Sequence, residues 1–135
     1  MSLKDYFSTR KGFGVLSTAD DNGKVDAAAY AHPHVIDETH VAFIMGDKLS
    51  HANLQNNPYA VYLFREDGGG CEGKRLYLKK ERETGNSKVI EETCKTEWPG
   101  PYCMSRYLND SFLVYFTIES VLPLVIFDGN KQKRN

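Results

Sequence analysis

The residues best suited to chemistry in this sequence stand together at Met45-Gly46-Asp47-Lys48-Leu49-Ser50. An extended run, Thr39–Met45, ends there, and a helical run, Lys48–Asn57, begins with Asp47 in the N-cap position. A helix start presents unpaired N–H groups and a partial positive charge, a combination that suits a phosphate. Gly46 permits close approach of backbone to a ligand, Lys48 adds a mobile cation, and Ser50 adds a hydroxyl. On spacing alone, a capped surface helix with a solvated lysine accounts for the same residues more simply.

A second feature is Ala27-Ala28-Ala29, continued by Ala31. Alanine suits a strand poorly and leaves volume against the layer that faces it. A flat aromatic ligand lying along the strand, its edge bonded to main chain, would occupy that volume. A tightly packed strand pair or dimer contact would do so equally well. His32-Pro33-His34 sets two imidazoles on one side of a strand. They would be half of a metal site, but His40, His51 and the cysteines lack metal-ligand spacing, so no metal is expected. Trp98-Pro99-Gly100-Pro101-Tyr102 reads as a rigid loop with its tryptophan packed on its own core. No serine sits in a Gly-x-Ser-x-Gly elbow, and Gly68-Gly69-Gly70 lacks the Lys-Ser/Thr ending of a phosphate loop. No catalytic residue is assigned.

The elements that must position these groups follow from periodicity and turn chemistry. Leu3, Tyr6 and Phe7 share one face of a short opening helix that Ser2 can cap. Strands are expected at Val15–Thr18, Lys24–Ile36, Thr39–Met45, Tyr59–Arg65, Lys74–Glu83 and Phe112–Ile118. Asn22-Gly23 is a hairpin signal between the first two. The helix over Lys48–Asn57 places Leu49, Ala52 and Asn53 on one side and stops at Pro58. Ser87–Lys95 and Tyr102–Leu108 supply further helical pieces. No strand–helix alternation appears, so an antiparallel barrel is expected rather than a doubly wound parallel sheet.

The 135 residues carry a net charge of −1, which argues against a nucleic-acid binder. No apolar run approaches the roughly 20 residues of a membrane helix. Met1–Arg10 is polar and mixed in charge, unlike a secretion signal, so a cytoplasmic, single-domain protein is expected. The three cysteines, odd in number and widely spaced, read as reduced thiols.

The order Gly14-Val15-Leu16-Ser17-Thr18-Ala19, Gly23-Lys24-Val25-Asp26, Val41-Ala42-Phe43-Ile44-Met45, Lys48-Leu49-Ser50-His51-Ala52-Asn53-Leu54 and Asn57-Pro58-Tyr59-Ala60-Val61 resembles the pyridoxamine 5′-phosphate oxidase-like family of FMN-binding split barrels. The resemblance implies a mainly β protein with short helices: a six-stranded antiparallel split β-barrel. It also implies a homodimer with FMN at the interface. It maps the phosphate to Lys48, Leu49 and Ser50, with Asn53 nearby and Gly46 and Asp47 at the corner. It maps the flavin ring to Ala29, Tyr30, Ala31 and Met45, and it offers Arg65 and Arg75 as further phosphate contacts. The function implied is a small FMN-dependent oxidoreductase acting on an unidentified small molecule, with a nicotinamide nucleotide as one candidate. The alternatives are a flavin carrier or store, and a haem- or deazaflavin-binding member of the same fold.

Overall fold

The computed structural model describes residues 1–97 and 110–125. Helix α1 (Leu3–Thr9) opens the chain, with the Ser2 hydroxyl accepting from the Asp5 N–H, as its sequence predicts. Strand β1 (Gly12–Ala19) turns into β2 (Val25–Ala29) through Asp20–Lys24, where Gly23 takes a positive φ of 84°. Then come β3 (His34–Asp37), β4 (His40–Gly46), α2 (Leu49–Asn56), β5 (Tyr59–Glu66), β6 (Gly73–Thr84), α3 (Ser87–Glu97) and β7 (Ser111–Pro123). The loop at Trp98–Tyr102 and the helix expected over Tyr102–Leu108 lie outside the described residues.

Among the described residues all strand pairings are antiparallel, and the seven strands form one sheet in the order β2-β1-β5-β6-β7-β4-β3. The two edge strands, β2 and β3, follow each other in sequence and are joined by Tyr30–Pro33 alone. Four residues span at most roughly 14 Å. The edges of a flat sheet of this width would stand roughly 29 Å apart. The sheet is therefore rolled into a barrel. The six-strand expectation is corrected to seven, because the single long strand expected over Lys24–Ile36 divides at this link. Pro33 has no N–H to give a ladder, and the chain changes direction there.

The barrel interior holds Leu16, Phe43, Met45, Tyr62, Phe64, Leu76, Leu78, Val114 and Phe116, all essentially inaccessible. Leu3, Tyr6 and Phe7 of α1 join the same core. Helix α3 covers the other side of β4 and β7, where Ile90 packs with Ala42 and Leu113, and its Cys94 is also buried. Cys71 is free and exposed, whereas Cys94 is disulfide-bonded, which corrects the expectation of reduced thiols for that residue.

On the outside of the barrel, register aligns side chains in rows across β2, β1, β5, β6 and the end of β7. One row is Ala29, Val15, Leu63, Arg75 and Leu122; the next is Ala27, Ser17, Val61, Tyr77 and Ser120. Phe13, Val25 and Tyr59 extend this outer face and are exposed. The β6–β7 ladder shifts register twice, between Tyr77 and Leu78 and between Lys80 and Arg82.

Gly12 and Gly14 lie inside β1, where neither site has room for a Cβ. At buried Gly14 it would collide with the ring and hydroxyl of Tyr62, whose O–H donates to the Tyr30 carbonyl oxygen at 3.2 Å. Gly14→Ala is expected to cost about 1–3 kcal/mol, the usual range for overpacking. Chemical denaturation should show a lowered midpoint with unchanged slope; an unaltered midpoint would refute this account of the glycine.

Candidate functional site

Helix α2 begins one residue later than its sequence suggests. Lys48, with extended backbone, occupies the N-cap position, and no side chain caps the turn. Asp47 stands one residue before it and binds through its N–H to the Asp110 carbonyl oxygen at 3.1 Å. The Lys48 and Asp47 side chains are exposed. The first turn of α2 thus keeps its backbone donors free of side-chain acceptors and has a lysine at its mouth. This is the local arrangement in which an anion is stabilised.

The inward face of α2 is polar. Leu49 is 57% exposed and Ala52 is also exposed, whereas Ser50, His51, Asn53 and Leu54 are buried. The expected side of Leu49, Ala52 and Asn53 is corrected accordingly. Each buried polar group has a partner, as burial requires. Ser50 lies beside the Tyr30 hydroxyl and favours its ionised form. The Asn53 amide donates to Thr18 Oγ1 at 3.0 Å. His51 is stacked on Phe112, their ring centroids 4.0 Å apart and their planes 8° from parallel. Its Nε2 lies 2.8 Å from Glu83 Oε2, and its Nδ1 lies 3.5 Å from Asp47 Oδ1.

Tyr30 connects this corner to the alanine strand. Its ring meets Phe43 edge-on at 5.9 Å, and burial raises its phenol above the ordinary range, partly offset by Ser50. Ala29 and Ala31 on either side of it are exposed. Among the described residues strand β2 pairs only with β1, so its other edge leaves main-chain groups open. Gly46, Asp47, Lys48, Leu49 and Ser50 follow one another at the β4–α2 corner, and Ser50 lies beside Tyr30, whose neighbours are Ala29 and Ala31. Met45 is wholly buried and Asn53 nearly so. Arg65 and Arg75 project from the outer face, and Arg75 Nε donates to the Pro123 carbonyl oxygen at 3.0 Å.

His32 Nδ1 lies 3.1 Å from the Pro33 carbonyl oxygen, and His34 Nδ1 lies 2.6 Å from Glu97 Oε1. Among the described residues no group of three or more histidines, cysteines or carboxylates could hold a metal. None of their helices is long and apolar enough to cross a membrane.

Sequence reading missed Thr18, His51 and Glu83 as supports of this corner. Glu83 lies 32 residues from His51, so no local pattern could have paired them. Partial burial by itself would raise the Glu83 carboxyl. Hydrogen bonds from Gln55, Lys80 and His51 overcome that and hold it down to about 2.

No family model matches the sequence, and no curated protein does. Solved structures do match. An FMN-binding protein from Syntrophomonas wolfei subsp. wolfei superposes with a TM-score of 0.70 at 19% identity, over 90% of this chain and 82% of that one. The fold is the split β-barrel of that structure. An F420 reductase shares this split barrel at a TM-score of 0.69 and 13% identity, over 87% of this chain and 94% of its own. A Lactobacillus delbrueckii subspecies protein provisionally named a pyridoxamine 5′-phosphate oxidase does so at 0.64 and 17%, over 90% and 93%. At these identities the likeness speaks for the fold.

The Glu83 cluster gives the split barrel a pH signature. Its carboxyl is depressed in the fold, so its contribution is complete above the ordinary value of 4.5 and is lost as pH falls toward 2. Glu83→Gln is expected to cost about 1–3 kcal/mol at pH 7. It should also flatten the fall in thermal midpoint between pH 5 and 2 (approximate bounds, from the same linkage). A variant whose acid profile overlays the wild type would contradict the assignment.

Proposed function

We propose that this chain binds FMN and works as a small FMN-dependent oxidoreductase, assembled as a homodimer. One observation carries the reading: Ser50, buried in the uncapped first turn of α2, lies beside Tyr30, which stands between exposed Ala29 and Ala31. An anion-stabilising turn and a strand of small side chains thereby share a corner, as a phosphorylated planar ligand requires. The fold itself, shared with an FMN-binding protein, supports the same reading.

In this proposal the first-turn N–H groups of α2, from Leu49 onward, and the Lys48 ammonium hold the phosphate. Ser50 and Asn53 contribute by fixing the turn, since Asn53 bonds Thr18 and Ser50 lies against Tyr30. The ring lies along Ala29, Tyr30 and Ala31, with Gly46 and Asp47 lining the corner and Met45 packed beneath. Bound FMN supplies hydride transfer at its ring nitrogen. The chain's part is to orient the ring edge on the free side of β2 and to exclude water around it. The hydride donor is a nicotinamide nucleotide or another small molecule. A deazaflavin is the second reading, because an F420 reductase shares the fold.

The second subunit packs, in this proposal, on the outer rows of β2, β1 and β5. Phe13 at 60% exposure, Tyr59 at 53% and Val25 at 82% make an apolar surface there that association would remove from water.

Heating the purified protein and weighing the released ligand tests the cofactor directly: FMN is expected, while a deazaflavin or no ligand would displace the first reading. Lys48→Ala is expected to weaken FMN binding about three- to tenfold, the range for one partly screened charge-assisted contact. Fluorescence titration would show it, and unchanged affinity would remove Lys48 from the phosphate site. Leu63→Arg, at the centre of an outer row, should convert dimer to monomer in light-scattering chromatography. A variant that stays dimeric would move the interface elsewhere.

A further inference from the structure

We propose that His51 is a positioning residue that sets the first turn of α2 for phosphate recognition; the inference rests on the FMN reading above. An eight-residue helix without a side-chain cap is marginal by itself. Its first turn must therefore be fixed from outside. Two side chains in that turn reach the rest of the protein. Ser50 lies against Tyr30 on the β2 side, and His51 reaches β6 and β7 on the other.

The His51 contacts fix both the plane and the direction of its ring. Phe112 lies flat against it, Glu83 Oε2 meets Nε2, and Asp47 Oδ1 faces Nδ1. Glu83 is itself held. Lys80 bonds its Oε1, and the Gln55 amide spans from the same Oε1, at 2.9 Å, to the His51 carbonyl oxygen, at 3.1 Å. Helix α2 is thus tied to β6 by two side chains, those of His51 and Gln55. Asp47 closes the arrangement, because its N–H is anchored on the Asp110 carbonyl oxygen just before β7. With His51 gone, the first turn keeps only the Ser50 contact with Tyr30, and its N–H groups lose their common aim.

A phosphate-specific role has a readout that general destabilisation does not share: the ratio of riboflavin to FMN dissociation constants, since the two ligands differ only in the phosphate. Wild type should prefer FMN. His51→Ala should reduce that preference about tenfold while leaving riboflavin binding nearly unchanged. His51→Gln can still reach Glu83 and should restore the preference to within about threefold (both figures scaled to one charge-assisted contact). Fluorescence quenching measures both ligands, and denaturant midpoints confirm that each variant is folded. If His51→Ala does not fold, Phe112→Leu carries the test by removing the plate beneath the ring. It too should lower the ratio. A wild type that binds riboflavin and FMN alike would overturn the phosphate reading and this inference together. A wild-type preference that folded His51→Ala or Phe112→Leu retains in full would overturn the inference alone.

Discussion

Everything in this structure answers to one short connection. Tyr30–Pro33 must carry the chain from one margin of a seven-stranded sheet to the other. That reach is possible only if the sheet closes on itself, and closure creates an interior that has to be filled. Aromatic rings fill it: Phe43 lies 4.9 Å from Tyr62, and Phe116 meets Phe43 edge-on at 5.9 Å. Glycines at 12 and 14 make room where those rings press on β1. The same link delivers Tyr30 to the core and leaves its alanine neighbours outside, so the constraint that rolls the sheet also shapes the candidate site.

Helix α2 shows how a weak element acquires a fixed place. Its inward face offers serine, histidine and asparagine instead of a broad apolar stripe. Each finds a partner on a different strand or linking segment: Ser50 on Tyr30, Asn53 on Thr18, His51 on Glu83 and Phe112. Such a face gains less from leaving water than leucines would, but it is specific in direction. A helix that presents its backbone donors to a ligand gains more from a defined orientation than from added stability.

Much of this was readable in the sequence. Ser2 ahead of Leu3, Tyr6 and Phe7, and Asn22-Gly23 between extended runs, are local signals that tertiary context did not override. The mainly β class, the antiparallel pairing and the strand–turn–helix corner followed from patterns of a few residues. The division of one strand into β2 and β3 did not, because barrel closure is a long-range demand. The polar packing of α2 also escaped, since periodicity reveals a helix face only when that face is apolar. The His51–Glu83 pair lay beyond reach for the same reason: it joins elements with nothing between them in sequence to mark the encounter.

The second register shift in β6 has a consequence of its own. In an uninterrupted strand Lys80 and Glu83, three positions apart, would project to opposite faces. The shift between Lys80 and Arg82 takes Glu81 out of step, so that Lys80 sits opposite Phe116 and Glu83 opposite Val114, both of them buried. Lysine and glutamate thereby come to one side and meet. That single out-of-phase residue is a half-turn of the strand's screw. Its loss would swing Glu83 away from the helix, and the support beneath the candidate site would vanish without any change in the residues that form it.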